Sequence, residues 1–270
     1  VTAQARLNFD LVPENYDRQF RGAVSARLAL ARSLNVPAVR LLREHGIARF
    51  HEELRALGMT SLVRSPDDYG LTLVLGGAEG TLGELTAMYA RLAQLALSGS
   101  AVRERPAIFR TESAGGADDR SPRRDSSPAG IDAASAWITL DALTEVTRPD
   151  SHGGWQTFRS ARPVAWKTGT SYGLRDGWAI GTTPEYTIGV WVGNADGEGR
   201  AGLSGVSSAA PLLFDLIGVL PPARGARFFP EPRAKMKPVR VCRDDGHLAN
   251  DLCEAETRWI PRSARPARVT

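Results

Sequence analysis

From Pro163 to Val192 the chain runs through three strand-like segments, residues 163–171, 176–182 and 186–192. Tyr172-Gly173-Leu174-Arg175 links the first two, and Thr183-Pro184-Glu185 links the second two. Links this short leave no room for a crossover helix, so consecutive strands must pair antiparallel. Ile188, Val190 and Val192 alternate with Gly189 and Trp191, the pattern of a strand with one face in a core. That face needs a cover, and the rest of the chain supplies helices. The fold class is therefore α+β, with helices packed on an antiparallel sheet.

The helical signals lie on both sides of the sheet. Residues 1–22 read as irregular, broken by Pro13, Asn15 and Gly22. A helical pattern from Val24 leads into Ser33-Leu34-Asn35, and Pro37 suits the first turn of a second helix that ends at Gly46. A third helix, from about Ile47 to Leu57, stops at Gly58. Tyr69 to Gly77 is a short apolar run closed by two glycines. Thr81 and Glu84 form a capping box for a helix carrying Leu85, Met88, Tyr89 and Leu92 on a core-facing stripe and ending at Ser98-Gly99. Residues 111–130 are rich in Ser, Gly, Asp, Arg and Pro and read as a loop, with Asp118-Asp119 and Arg123-Arg124 solvated. Asp132 caps a helix to about Thr147, and Ser207 to Val219 is an apolar helix able to pack across the sheet. The stretch 221–240 holds five prolines and many arginines and reads as a linker.

Lys167 stands out against this frame. The chain has only three lysines, and the other two, Lys235 and Lys237, lie in the Pro-rich tail. Lys167 sits inside the strand-like run Ala165-Trp-Lys-Thr-Gly-Thr-Ser171. A charge on a half-buried strand is costly unless something uses it. One reading is an outward-pointing edge lysine; the other is a lysine that lines a functional groove.

Composition removes several classes of function. At 42% hydrophobic and 24% charged residues, the chain is an ordinary globular sequence. No apolar run reaches the ~18 residues a membrane helix needs. The net charge of +4 is spread over scattered arginines interleaved with acids, with no basic and aromatic stripe of the kind that holds nucleic acid. Cys242 and Cys253 lie eleven residues apart with no histidine cluster beside them, so they cannot form a four-ligand metal site. Two inert thiols and a small-loop disulfide both fit. Nothing in the sequence calls for a cofactor. His45 and His152 have no partner at catalytic spacing and read as surface residues. Trp166 and Trp178 read as core or hairpin packing.

Ser33-Leu34-Asn35 at a helix junction and Lys167-Thr168-Gly169-Thr170 on the first strand carry the chemistry when taken together. A Ser-x-Asn alone recurs by chance, and both residues commonly cap helices. A Ser-x-Asn followed by a helical region and then a Lys-Thr-Gly is far more specific. On these motifs the chain resembles the transpeptidase domain of bifunctional, class A penicillin-binding proteins, and within them the 1C subgroup. Pro13-Glu-Asn-Tyr-Asp17, Phe20-Arg-Gly22, Leu75-Gly-Gly-Ala78 and the run from Trp166 to Gly181 share the likeness. It covers about residues 7 to 220. The remainder, 221–270, resembles a linker and the start of a small C-terminal domain.

The resemblance implies a penicillin-binding protein and serine β-lactamase-like fold, in which a sheet flanked by helices faces a helical lobe across a cleft. It implies acyl transfer from D-alanyl-D-alanine stem peptides of peptidoglycan, with β-lactams as covalent inhibitors. Ser33 would relay a proton, Asn35 would donate to the substrate amide carbonyl, and Lys167 would supply positive charge. Thr168 and Thr170 would bind the terminal carboxylate, Gly169 would let the substrate backbone approach, and the Thr170 N–H would form half of an oxyanion hole. Tyr172, just past the motif, is a candidate for lining the cleft, against a plain turn tyrosine. The implied location is the periplasmic face of the inner membrane, with an upstream anchor and glycosyltransferase domain. An oxidising compartment favours a Cys242–Cys253 disulfide.

The chain departs from the family pattern in one respect. No serine here has lysine three residues later, so the Ser-x-x-Lys that would carry the acylated serine is missing. Val1 is not Met, and the expectation is a C-terminal fragment that lacks the nucleophile segment and is inactive alone. The competing expectations are a carboxypeptidase or β-lactamase-like hydrolase, and a catalytically inactive stem-peptide-binding module.

Overall fold

The computed structural model describes residues 13–98, 130–149, 162–221, 228–243 and 246–265. The expected loop at 111–129 and His152 lie outside them. The strands β1 (Ala165–Thr170), β2 (Asp176–Thr182) and β3 (Thr187–Gly193) form an antiparallel sheet in the order β1-β2-β3. Lys167 pairs with Ile180, and Gly169 pairs with Trp178, which in turn pairs with Trp191. In the described sheet β1 is an edge strand.

Seven helices accompany the sheet among the described residues. Four belong to a helical lobe: α1 (Ala26–Ala31), α2 (Asn35–His45), α3 (Ile47–Ala56) and the single turn α4 (Pro66–Tyr69). The apolar run after Tyr69 winds into a 3-10 helix, Gly70–Leu75, and Gly76 ends it in a left-handed conformation. Val39, Leu42, Met59, Leu62, Tyr69, Leu71 and Leu73 form the core of this lobe. His45 reaches Glu53 at 2.7 Å on the partly exposed side.

The other helices clasp the sheet. α5 (Leu82–Ser98) and α6 (Ala133–Leu143) share a core with Ala165, through Ala93, Ala96, Ala136 and Leu140. Asp132 caps α6, accepting from the Ser135 amide at 2.7 Å; this helix ends four residues earlier than its apolar pattern suggests. The Thr81–Glu84 capping box at the head of α5 is formed, and Glu84 also accepts from the Thr60 and Ser61 hydroxyls at 2.6 Å each. Burial alone would raise the Glu84 pKa, but these donors outweigh it and hold it at about 2.

On the opposite face, α7 (Ala210–Val219) is preceded by one π-helical turn, Gly205–Ala209. Leu213, Phe214 and Ile217 pack there with Trp166, Ala179 and Val190. Trp166 is core, as expected, and its indole donates to Val146 O. Trp178 is only half-buried and contacts the ring of Trp191.

The Pro- and Arg-rich stretch departs from its linker reading. Phe229 is buried against α6, and Trp137 donates to its carbonyl at 2.9 Å. From Met236 the chain forms β4 (Met236–Cys242), paired antiparallel with β5 (Ala255–Pro261). Pro238 is tolerated because both strands of a two-stranded ladder have an outer edge that needs no amide donor. Cys242 and Cys253 are joined by a disulfide, with Cα atoms 5.5 Å apart.

Candidate active site

Ser33 and Lys167 meet. The Lys167 ammonium donates to Ser33 Oγ at 2.8 Å across 134 residues of sequence, and to Thr168 O at 2.8 Å. A chain of packed elements produces this meeting. Arg27 on α1 reaches Asp141 at 2.6 Å and Glu145 at 2.7 Å, which fixes α1 to α6 and the segment that follows it. α6 packs on Ala165, two residues before Lys167 and on the same face of β1. The turn between α1 and α2 is thereby held over the sheet edge.

Local backbone geometry then exposes the Ser33 hydroxyl. Ser33 has φ +54°, in the left-handed region that a non-glycine residue rarely adopts. Its amide and that of Leu34 bond back to Leu30 O and Ala29 O, closing the end of α1. Neither Ser33 nor Asn35 caps α2. That role falls to Asn15, whose Oδ1 accepts from the Val36 amide at 3.2 Å while its Nδ2 donates to Gln19 O at 2.7 Å. Asn35, on the first turn of α2, donates to Glu14 O at 3.0 Å. Asn15 is a positioning residue that residue-level reasoning missed. It acts across 21 residues, and only the Pro13–Asp17 stretch within the resemblance hinted at it.

The strand side of the site is equally ordered. The Ser171 amide donates to Asp176 O across the β1–β2 turn. Alternation along an antiparallel strand then turns the Thr168 and Thr170 N–H groups toward the open edge. Thr170 Oγ1 accepts from the Gly205 amide at 3.0 Å, which leaves its proton free to donate outward. Gly205 lies so close to the sheet that a Cβ there would stand 2.5 Å from both Gly169 O and Trp178 O. The protein's own packing does not require glycine at 169: a Cβ there would meet Trp178 Cβ at an ordinary 3.6 Å. Tyr172 stands in the β1–β2 turn with its side chain 99% exposed.

Burial lowers the Lys167 pKa from 10.5 to about 8. Its partners are a hydroxyl and a carbonyl, and no carboxylate among the described residues offsets the loss of water. The cost of burying the ammonium is therefore full below about pH 8 and is relieved as pH rises toward 10.5, where the unfolded chain still holds its proton. Thermal melts across that window should show a gain in stability that is absent in Lys167→Ala. A flat profile in the unsubstituted protein would contradict the burial. No group of His, Cys, Asp and Glu suited to holding a metal occurs among the described residues.

No family model matches the chain. Individual relatives do. It is 36% identical over 226 residues to penicillin-binding protein 1C of Escherichia coli K12, covering 83% of this chain and 26% of that protein. The chain belongs to the penicillin-binding protein family. It is also 31% identical over 199 residues to penicillin-binding protein 1B of Vibrio cholerae, covering 73% of this chain and 24% of that one. The chain spans about a quarter of the length of these relatives. Among solved structures, penicillin-binding protein 1A of Haemophilus influenzae superposes with a TM-score of 0.64 at 18% identity, over 96% of this chain and 43% of that one. PBP2 of Pseudomonas aeruginosa gives 0.55 at 22% identity, over 80% and 56%. The fold is the α+β fold of penicillin-binding protein transpeptidase domains. No helix among the described residues is long and apolar enough to cross a membrane.

Proposed function

We propose that this chain supplies two walls of a peptidoglycan D,D-transpeptidase site that acts outside the cytoplasm. The observation that carries the proposal is the 2.8 Å contact between Lys167 Nζ and Ser33 Oγ, which joins the two motifs in one groove. The acylated serine would come from a Ser-x-x-Lys outside these 270 residues. Its Oγ attacks the penultimate carbonyl of a D-alanyl-D-alanine stem, and the terminal D-Ala leaves as an amine after gaining a proton. An amine of a neighbouring stem then takes the acyl group. Ser33 passes the proton to the leaving amine, with Lys167 as its source and electrostatic support. The attacking serine's own proton goes to the lysine of its Ser-x-x-Lys. In the second step the incoming amine's proton returns through Ser33 to Lys167, while the lysine of the Ser-x-x-Lys reprotonates the released serine.

The strand binds the substrate. A stem peptide laid along the open edge of β1 extends the sheet, and Thr168 and Thr170 hydroxyls donate to its terminal carboxylate. The Thr170 N–H is one donor to the oxyanion. Gly169 keeps the path of the peptide clear. Asn35 donates to the substrate's amide carbonyl once its amide group turns from Glu14 O. β-Lactams would acylate the same serine as substrate mimics.

Product analysis tests the reaction class. The full-length protein, given stem-peptide-bearing glycan strands, should form cross-linked dimers. Release of D-Ala with monomers alone would assign a hydrolase. Neither product, with penicillin binding retained, would assign a non-catalytic module.

A further inference from the structure

The protein's charge is concentrated at one end. Residues 1–220 carry 23 Lys and Arg against 24 Asp and Glu, whereas residues 221–270 carry 11 against 6. Among the described residues of this segment, eight Lys and Arg stand against four Asp and Glu on and around the β4–β5 hairpin. There Arg243 is neutralised by Glu254, Arg258 by Glu256 and Arg233 by Glu231. Arg240, Lys235, Lys237 and Arg265 face no carboxylate among the described residues.

One face of the hairpin adds a second feature. Pro238 pairs with Trp259 and Arg240 with Thr257, so these four side chains share a face, and all four are exposed. The Arg233 guanidinium lies 4.3 Å from the Trp259 ring centroid and holds the indole in place. The base of this face is anchored, with Met236 and Pro261 buried, and the Cys242–Cys253 bridge ties the other end. The result is a rigid platform with an amphipathic indole, a hydroxyl and an unpaired arginine. Such a surface suits a polymer that combines sugar or peptide faces with carboxylates. It suits a bilayer less well, because Leu252 is the one large aliphatic side chain exposed on the hairpin among the described residues.

We propose that this face is an accessory binding surface for anionic peptidoglycan, engaging carboxylate-bearing glycan–peptide strands separately from the Ser33–Lys167 groove. The identity of the polymer rests on the transpeptidase reading, while the surface itself rests on the hairpin. The test is co-sedimentation of the 270-residue chain with purified insoluble peptidoglycan, with thermal melts confirming that each variant is folded. The chain should sediment at low salt and be released as salt rises. Arg240→Glu combined with Trp259→Ala should weaken binding by about tenfold or more, as expected for losing complementary charge and an aromatic anchor. Thr257→Glu, at an exposed position on the same face, should weaken it too and serves if the double variant does not fold. Gly218→Ala, where nothing lies within 4 Å of the added methyl group, should bind normally. Unchanged sedimentation of the hairpin variants, or no binding by the unsubstituted chain, would overturn the proposal. Loss in Lys167→Ala alone would place binding in the groove, overturning the proposal while leaving the transpeptidase reading intact. Stronger binding to phosphatidylglycerol vesicles than to peptidoglycan would assign the face to a membrane and overturn it equally.

Discussion

Lys167→Ala should leave the protein folded and cut acylation of the full-length protein by a fluorescent penicillin by roughly 10³-fold, within the range for a lost acid–base group. The expectation follows from where Lys167 sits. Its ammonium is the cation bonded to Ser33 Oγ, so its removal strips the groove of both proton source and positive charge. The same removal relieves the burial that lowers the pKa to about 8, so the melting temperature should hold or rise. That combination separates a working residue from a structural one. Lys167→Arg should not restore labelling, because a guanidinium is planar, larger and does not give up its proton near neutral pH. Full labelling of Lys167→Ala would remove the assigned site.

Gly205→Ala should be strongly destabilising. A Cβ at 205 meets two backbone carbonyl oxygens at 2.5 Å and Thr168 Cβ at 3.0 Å, and backbone cannot rotate aside as a flexible side chain would. The π-helical turn must lift from β1 and β2, which breaks the bond from the Gly205 amide to Thr170 Oγ1. We expect a loss of about 2–4 kcal/mol in urea unfolding, at or above the usual cost of overpacking. Gly218→Ala is the control. Nothing lies within 4 Å of the added atom in the helix α7, and the change should be neutral or stabilising by up to about 1 kcal/mol. Equal stability of the two variants would mean that the close approach is not rigid.

The parts legible from sequence were those governed by local rules. Strand β2 has the expected bounds, because short links and a two-residue period leave few alternatives. Asp132 and the Thr81–Glu84 box cap helices as their spacing requires. The run after Tyr69 carried no period long enough to separate helix from strand, and its burial against α2 and α3 settled it as helix. The strand at 236–242 was hidden behind Pro238, which is acceptable only because the ladder has two strands.

Sequence alone determined the residue types able to carry acyl-transfer chemistry and the order in which they occur, since motif spacing, hydrophobic period and caps act over a few residues. It could not choose between Ser33 as a helix cap and Ser33 as a partner of Lys167. Tertiary structure made that choice by non-local contacts: Asn15 took over the cap, and Arg27 tied α1 to the helix that packs on β1. Contacts across 21 and 114 residues depend on how whole elements pack, and no local pattern encodes them.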